Sequence, residues 1–257
     1  MPPLNPKTRF SNRVDYYVRC RPGYPNEFFN FLRSDLGLSA SSIVADIGSG
    51  SGILCEPLLK SGNRVYGVEP NPAMRLKAEA LLHRYPNFES IEGCAEATTL
   101  PDQSVDFITA GQAFHWFDPE QTRREFSRIL RSKGWVVLVW NNRIADASPF
   151  LQAYEELLDR FCDEYQWVKQ TKSREDRFQL LFGPGGYARR DFFTSQSFDL
   201  DGLEGRLLSS STAPLPGHPQ HEPMMRELEQ LFDRYQENGQ VKFEYVTEVY
   251  YGKLSGA

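Results

Sequence analysis

A cluster of glycines flanked by carboxylates is the part of this sequence best suited to binding chemistry. Asp46 is followed by Gly48, Gly50 and Gly52, directly after a short apolar run. Glycines at such a turn let the chain bend sharply and let a ligand reach the main chain with no side chain in the way. Glu69 ends the next apolar run, 23 positions after Asp46. Its carboxylate can accept hydrogen bonds from both hydroxyls of a ribose, so the pattern predicts a nucleoside site.

The spacing of these glycines argues against two common phosphate-binding loops. The dinucleotide fingerprint Gly-x-Gly-x-x-Gly needs a glycine at position 53, where this chain has Ile53. A P-loop needs Gly-Lys-Ser or Gly-Lys-Thr, and the segment 46–52 contains no lysine. Asp46 would repel a pyrophosphate, whereas it suits a ligand that carries an ammonium group.

The composition is that of an ordinary globular protein with a small excess of acidic over basic residues. Of 257 residues, 40% are hydrophobic and 25% are charged, and 29 Lys and Arg against 34 Asp and Glu give a net charge of −5. We expect one domain, or one domain with a sizeable cover. A nucleic-acid partner is disfavoured because it requires clustered positive charge. The basic run at 123–133 is interpreted as a solvated helix face, with an RNA-contacting patch as the alternative.

Neither a membrane segment nor a secretory signal is predicted. The longest apolar run, residues 135–140, is far shorter than the roughly 20 residues that cross a bilayer. The amino terminus has no apolar core segment. The cysteines at positions 20, 55, 94 and 162 form no Cys-x-x-Cys pair, which favours free thiols in a cytoplasmic protein. His218 and His221 alone do not make a metal site, so no metal is expected.

Strands and helices alternate along the first 140 residues. We predict strands at residues 43–47, 64–69, 88–92, 105–110 and 135–140, with helices at 53–60, 72–83 and 119–130. This alternation is typical of an α/β fold with a doubly wound, parallel sheet and helices on both faces. Such sheets bind ligands at the carboxyl ends of their strands, where the strand order reverses. The last hundred residues add amphipathic helices, a strand at 192–200 and a strictly alternating strand at 241–251, interpreted as an antiparallel edge strand.

Five segments, taken in order, resemble the class I S-adenosylmethionine-dependent methyltransferases of type 11. These are residues 44–52, 67–74, 93–101, 104–107 and 128–135. The resemblance implies a Rossmann-like sheet of seven strands, mostly parallel with an antiparallel final strand, and a helical cover over the active site. It also implies an N-terminal arm or lid at 1–40 and a methyltransferase domain at 41–257. Within that domain, residues 41–142 would be the cofactor-binding core, followed by the substrate cover and the last two strands.

The resemblance also implies how S-adenosylmethionine would be held. Gly48, Ser49 and Gly50 would lie against its methionine part. Asp46 would hold its amino group, directly or through water, and Glu69 would bind its ribose. The full set of implied cofactor-binding residues is Tyr17, Arg21, Asp46, Gly48, Ser49, Gly50, Gly52, Glu69, Pro70, Asn71, Met74, Cys94, Ala95, Glu96, Gln112 and Ala113.

One position departs from the family pattern at the adenine end. Ala95 and Glu96 would flank the adenine, but many relatives have Asp where this chain has Cys94. The contact to the adenine amino group would then come from Glu96 or from main-chain groups, and Cys94 is interpreted as a small buried residue.

An aromatic segment after the fourth predicted strand, residues 111–119, would lie where the methyl group emerges. Methyl transfer needs alignment, exclusion of water and sometimes a base. His115 is a candidate general base, with a backbone hydrogen bond that fixes the loop as the alternative. The predicted substrate pocket consists of Phe114, His115, Trp116, Ser209 and Ser211.

The N-terminal arm narrows the resemblance further. Residues 17–25 resemble the Tyr-x-x-x-Arg-Pro-x-Tyr-Pro arm of a small-molecule subgroup that includes trans-aconitate methyltransferase. There Tyr17 and Arg21 would close over the cofactor, with Arg21 near its carboxylate. A surface arm stapled by aromatic residues is the alternative.

These observations favour an enzyme that methylates a small molecule and releases S-adenosylhomocysteine. An RNA or protein methyltransferase and a non-catalytic cofactor-binding scaffold are the alternatives. Methylation of DNA is disfavoured, because the chain has no Pro-Cys pair and no Asn-Pro-Pro-Tyr-type segment after the fourth strand. The acceptor atom, the substrate and the oligomeric state are left open.

Overall fold

Seven strands form one mixed sheet. The computed structural model describes residues 13–162, 165, 175–183 and 186–254. The strands are β1 (Ile43–Ile47), β2 (Arg64–Val68), β3 (Phe88–Ile91), β4 (Val105–Gly111), β5 (Leu130–Arg143), β6 (Ala188–Phe198) and β7 (Val241–Gly252). Their order is β3-β2-β1-β4-β5-β7-β6. β7 runs opposite to the other six strands, so the predicted fold class is confirmed.

Nine α-helices connect or cover these strands in the described part of the chain. They are α1 (Val14–Cys20), α2 (Asn26–Ser34), α3 (Cys55–Lys60), α4 (Pro72–Leu82), α5 (Pro119–Ile129), α6 (Pro149–Phe161), α7 (Glu175–Phe182), α8 (Leu200–Leu208) and α9 (His221–Tyr235). Each of these described helices is too short or too polar to span a membrane.

Helices α4 and α5 begin at the carboxyl edge of the sheet with well-formed caps. The Asn71 side chain accepts hydrogen bonds from the first turn of α4, and Asp118 does the same for α5 through the backbone N–H of Gln121. A proline follows each cap, at a position where a missing N–H costs nothing. The caps therefore fix where each helix leaves the edge that carries the site.

Alternate side chains of β1 show how the sheet is covered on both faces. Val44 packs with residues of α2 and α3, whereas Ala45 and Ile47 pack with residues of α5 and α7. Burial on both faces explains the nearly continuous apolar runs of the central strands. A third cluster, around Tyr154 and Leu207, joins α6, α8 and α9 to the ends of β6 and β7. This cluster forms the cover.

The prediction that residues 241–251 form an edge strand is wrong. β7 lies between β5 and β6 and pairs with both along most of its length. Its polar residues are satisfied by neighbours: the Thr247 hydroxyl donates to Asn141 Oδ1 at 2.6 Å, and Glu248 pairs with Arg189 at 2.7 Å. The alternating pattern indicated a half-polar face correctly, but the edge strand on this side of the sheet is β6.

One strand boundary also differs from the sequence prediction. β5 begins at Leu130, five residues earlier than predicted, because Leu130 already pairs with Val105, ahead of a register shift between this pair and the pair Phe107 and Trp135. Residues 1–12 of the predicted arm and residues 166–174 lie outside the described residues. The division into arm, core and cover stays a prediction.

Candidate functional site

A cavity of about 650 Å³ opens at the carboxyl ends of β1, β2, β4 and β5. This volume lies in the range of small-ligand pockets, and the cavity includes the switch point between β1 and β4. Most residues of the predicted site line it. These are Tyr17, Arg21, Gly48, Gly50, Glu69, Pro70, Asn71, Met74, Cys94, Ala95, Glu96, Gln112, Ala113, His115, Trp116 and Ser211.

The three glycines after β1 have different structural roles. All have positive φ, at +68° for Gly48, +56° for Gly50 and +87° for Gly52. A Cβ at Gly48 would lie 2.6 Å from the Ala113 side chain, whereas a Cβ at Gly50 would meet no atom within 4 Å. Gly50 therefore leaves open space above the loop, which suits a ligand lying on the main chain.

Gly52 does not line the cavity, in contrast to its predicted role. A Cβ there would lie 2.6 Å from Leu82 Cδ1 of α4. The absence of a side chain at Gly52 therefore serves packing between the loop and this helix.

Glu69 is held in place by the backbone of two neighbouring loops. Its Oε2 accepts the Gly50 N–H at 2.9 Å and its Oε1 accepts the Asn71 N–H at 2.8 Å. Burial, with 8% of the residue exposed, raises its pKa, and the two N–H groups oppose this shift. Each carboxylate oxygen has a second lone pair left. Glu69 can therefore accept two further hydrogen bonds, as a vicinal diol would donate them.

Asp46 lies behind the cavity wall and not in it. Because side chains alternate along β1, it points to the face covered by α3. Its Oδ1 accepts the Thr109 hydroxyl at 2.8 Å and its Oδ2 accepts the Cys55 thiol at 3.2 Å. Burial, with 1% of the residue exposed, raises the pKa of Asp46 to about 7. The structure thus does not place it for direct contact with an amino group in the cavity.

Three further predicted residues lie outside the cavity lining. Ser49 is half-buried beside β2, where its N–H donates to the Val68 carbonyl at 3.2 Å. Phe114 is buried between the rings of Phe117 and Phe178. Ser209 is fully buried at the end of α8. Phe114 and Ser209 are buried, and Ser49 does not line the cavity, so side-chain contact of these residues with a ligand is not supported by their placement.

The predicted adenine end of the site is built from the loop after β3. Cys94 and Ala97 exchange backbone hydrogen bonds of 3.2 Å, which holds Ala95 and Glu96 against the cavity. Burial and a hydrogen bond to Glu96 raise the pKa of the Cys94 thiol, so this side chain is neutral near pH 7. Glu96 Oε1 also accepts the Asp118 N–H at 2.8 Å, which ties the loop to the start of α5.

The segment after β4 forms the middle of the cavity wall. Gln112 has φ +58°, a conformation that is rare for a non-glycine residue, and its side-chain amide donates to the Asn141 carbonyl at 3.0 Å. His115 and Trp116 follow in a 3₁₀ turn with their ring centroids 4.7 Å apart. Both roles considered for His115, base and loop anchor, are compatible with this position in the wall.

The arm lies over the cavity and is tied to the cover. Arg13 donates to three carbonyl groups at the end of α8 and in the loop after it. The Arg21 guanidinium donates to the Ser209 carbonyl at 2.8 Å and lies 5.0 Å from the centroid of the Tyr17 ring. Cations suit a helix carboxyl terminus, so these arginines hold arm and cover together.

The far end of the cavity contains residues that the sequence analysis missed. They are Trp140, Asn141, Asn142, Arg143, Glu155, Tyr165, Arg206, Ser210, Thr212, Glu248 and Tyr250. The segment 141–143 had a usable signal, because it follows an apolar strand at its carboxyl end. Arg206 had none, since it is one basic residue inside an amphipathic helix.

The other sequence features lie away from the cavity. Arg128 pairs with Asp102 and Glu125, and Arg131 pairs with Asp106, so much of the charge in the basic run is neutralised locally. His221 contacts the Pro214 carbonyl. Within the described ranges, no group of three His, Cys, Asp or Glu residues is arranged to hold a metal ion.

Comparison with known proteins agrees with this geometry. Residues 45–138 match the family described as "Methyltransferase domain". An uncharacterized methyltransferase of Schizosaccharomyces pombe is 27% identical over 248 residues, 94% of this chain and 95% of its own. Another, from Mycobacterium tuberculosis, is 37% identical over 134 residues, and the matched region spans 52% of each chain.

Solved structures share the fold at low sequence identity. A protein of Anabaena variabilis, assigned as a methyltransferase from an antibiotic biosynthesis pathway, has a TM-score of 0.63 at 23% identity, over 93% of this chain and 100% of that one. A protein of Anaeromyxobacter dehalogenans, assigned as a type II methyltransferase, has a TM-score of 0.61 at 21% identity, over 91% and 98%. The segment 45–138 is thus similar in sequence to methyltransferase domains, and the chain as a whole is similar in sequence to an uncharacterized methyltransferase and shares its fold with these solved structures.

Proposed function

We propose that this protein binds S-adenosylmethionine in the cavity and transfers its methyl group to a small-molecule acceptor. The observation that carries the proposal is the pair formed by Glu69 and Gly50. Glu69 offers two free hydrogen-bond acceptor positions for a ribose, and Gly50 leaves the space above the glycine loop open. When bound, the cofactor would supply an electrophilic methyl group on a positively charged sulfur, so that an acceptor lone pair could bond to the methyl carbon in line as the carbon–sulfur bond breaks and S-adenosylhomocysteine leaves.

The chain's own residues would align the two reactants and exclude water. Along the strand order, the cofactor would lie from β2 across β1 to β4, with its methyl group near Gln112 and His115. The aromatic side chains of Trp116, Phe117 and Trp140 line the same cavity and would keep solvent from the reacting atoms. Positioning of this kind can supply a large part of a displacement barrier.

A small acceptor is favoured over RNA or protein because residues of both the arm and the cover line the cavity. Arg13 and Arg21 tie the arm to residues 208–213, and Ser210, Ser211 and Thr212 of that segment face the cavity. The local pairing of Arg128 and Arg131 also weakens the case for a nucleic-acid surface. A non-catalytic scaffold is disfavoured because the cavity continues past the cofactor end toward β7.

We also propose a reducing, cytoplasmic setting. Cys20, Cys55, Cys94 and Cys162 are all free thiols, and persistent free thiols are typical of reducing compartments.

The proposal is tested first by binding and then by turnover. Isothermal titration of the purified protein with S-adenosylmethionine and with S-adenosylhomocysteine should give saturable binding of one molecule per chain. A panel of metabolites is then screened with radiolabelled S-adenosylmethionine for transfer of the label. Absence of binding to a folded sample would refute the proposal, whereas transfer to RNA or protein but to no metabolite would favour the alternative substrates.

A further inference from the structure

The outer strand β6 has a free edge along its whole length. Among the described residues, β7 is its sole neighbour in the sheet, and the two strands pair without a register shift from Ala188 to Phe198. The unpaired N–H and C=O groups of such an edge are a template for another strand, and natural edges are commonly blocked by proline, bulges or lysine. Residues 188–198 contain neither proline nor lysine. The edge of β6 is therefore open to pairing.

The pairing of β7 shows which residues of β6 point their backbone groups outward. The Ile144 N–H donates to the Glu244 carbonyl at 2.9 Å, directly after the ladder of β5 and β7. Because successive residues of a strand turn these groups to opposite sides, the even-numbered residues of β7 bond to β5 and the odd-numbered residues bond to β6. Thr247 lies opposite Phe192, so β7 uses the even-numbered residues of β6. The outward groups of β6 belong to residues 189, 191, 193, 195 and 197.

Phe193 stands at the midpoint of this edge. It is 73% exposed, the largest fraction among the large hydrophobic side chains of the described residues. The five outward residues are spaced evenly about it, two before and two after, and each of them is exposed. An aromatic side chain at the centre of a patch is typical of a protein interface.

The charges at one end of β6 disfavour several registers between two copies of the strand. Arg189, Arg190 and Asp191 follow one another near its start. A two-fold axis at any of these three positions would place a charged side chain opposite its own copy, and like charges directly opposite are destabilising. Those registers also leave the last residues of the strand without a partner.

Antiparallel pairing centred on Phe193 uses the whole strand and has no such conflict. The first residue of one copy then lies opposite the last residue of the other, so all eleven residues of each β6 are paired. Asp191 lies opposite Ser195 of the second copy, and Arg189 lies opposite Ser197, so each of these charges faces a hydroxyl group. The two Phe193 residues meet at the axis, with Cα atoms about 5.5 Å apart, where an aromatic pair is stabilising.

The backbone hydrogen bonds available at this edge are enough for a specific interface. The five outward residues of each copy would form five pairs that exchange two hydrogen bonds each, ten in all. A typical interface has about ten direct hydrogen bonds. Because the outward residues are symmetrical about Phe193, a second copy of the same strand matches them through a two-fold axis, the commonest symmetry of oligomers.

We propose that the edge of β6 pairs with β6 of a second copy of this chain, antiparallel and centred on Phe193. The product is a dimer with one continuous sheet of fourteen strands, seven from each chain. β6 runs in the same direction as β1 to β5, and its copy runs in the opposite direction. The two cavities therefore lie at opposite edges of the joined sheet, and the inference does not depend on what they bind.

Sedimentation equilibrium of the full chain, at concentrations up to about 100 μM, measures the association. We expect a reversible equilibrium between monomer and dimer. Phe193→Lys should weaken the dimer by about 100-fold or more, because it removes the central aromatic pair and places two like charges opposite each other. Leu76→Lys is the matched control, since Leu76 is 63% exposed on α4, and it should change the dissociation constant by no more than about twofold.

A pair of cysteine variants tests the register. Asp191→Cys and Ser195→Cys proteins are oxidised mildly, first alone and then as a mixture, with wild-type protein as the background for the natural thiols. In the proposed register these two positions lie opposite each other, within the Cα separation of about 4.4–6.8 Å that a disulfide needs, so the mixture should form a crosslinked dimer. Each variant alone should not, because its two introduced thiols would be four residues out of register, roughly 13 Å along the strands.

Three results would overturn the inference. One is a wild-type protein that stays monomeric at about 100 μM. Another is a dimer of unchanged affinity in folded Phe193→Lys, because such a dimer must use a different surface. The third is a mixture of the cysteine variants that crosslinks no faster than either variant alone, and this result decides whether or not Phe193→Lys folds.

Discussion

Replacing Glu69 by Ala is expected to weaken the binding of S-adenosylhomocysteine by about 10²-fold. Each oxygen of the Glu69 carboxylate has one lone pair free after accepting the Gly50 and Asn71 N–H groups. Two ribose hydroxyls bound there would contribute about 1.5–3 kcal/mol each, which together corresponds to roughly 10²–10⁴-fold in affinity. Because the two hydrogen bonds share one carboxylate, their contributions do not add fully, and we expect the lower end.

The assay is isothermal titration near neutral pH, with a check on folding. Loss of the carboxylate also leaves the Gly50 and Asn71 N–H groups without their acceptor, so urea unfolding of each variant shows whether the glycine turn survives. Glu89→Ala is the matched control. Glu89 is exposed on β3, pairs with Arg64 at 2.9 Å and does not line the cavity, so its removal should change the affinity by less than twofold.

A second ligand isolates the ribose contact. S-adenosylhomocysteine with a 2′-deoxyribose lacks one of the two hydroxyls and should bind wild-type protein about tenfold more weakly. The same deletion should matter little in Glu69→Ala, because the partner of that hydroxyl is already gone. A folded Glu69→Ala protein that binds S-adenosylhomocysteine as tightly as wild type would remove Glu69 from the site and refute the reasoning.

Three further predictions concern the rest of the site. Burial raises the pKa of Asp46 to about 7, so between about pH 4 and pH 7 the folded protein binds a proton that the unfolded chain releases, and this contribution to stability is lost as pH rises. Asp46→Asn should remove that loss, which is as much as about 3 kcal/mol between pH 5 and pH 8, in urea unfolding at these two pH values. An equal loss of stability between these pH values in the two proteins would contradict the prediction. His115→Gln should lower turnover less than tenfold with an unchanged pH profile, whereas a pH-dependent loss of about 10²–10⁴-fold would show that His115 is a base. Gly52→Ala should lower the free energy of unfolding by about 1–3 kcal/mol more than Gly50→Ala in the same assay, because only the Cβ at position 52 overpacks against Leu82. Gly50→Ala should instead weaken cofactor binding more than Gly52→Ala does. Equal stabilities and equal affinities of the two variants would overturn these assigned roles.

Local sequence was informative wherever function follows from neighbouring residues along the chain. The glycine turn and Glu69 each end a buried strand, and the parallel sheet brings such ends to one edge. The same rule would have found Asn141 and Asn142, which follow the apolar part of β5. Direct contact by Asp46 is not supported, because alternation along β1 turns that carboxylate toward α3 and away from the cavity.

Pattern alone misjudged the strand at 241–251 for a related reason. Alternating residues show that one face of a strand is polar, but they do not show whether another strand pairs with its outer edge. Pairing with β6 depends on residues some 50 positions away in the chain, which no local pattern reports.

The sequence by itself determined the class of fold, the turn after β1 and the carboxylate at the end of β2, since each depends on periodicity or on a few consecutive residues. Only the tertiary structure decided which side chains complete the cavity. Arg21, Arg143 and Arg206 come from the arm, the sheet and the cover, and they meet because the strand order and the packing of α8 bring them together. The position of these three side chains beside one cavity is a property of that convergence, because they are far apart in sequence and meet only once the chain has folded.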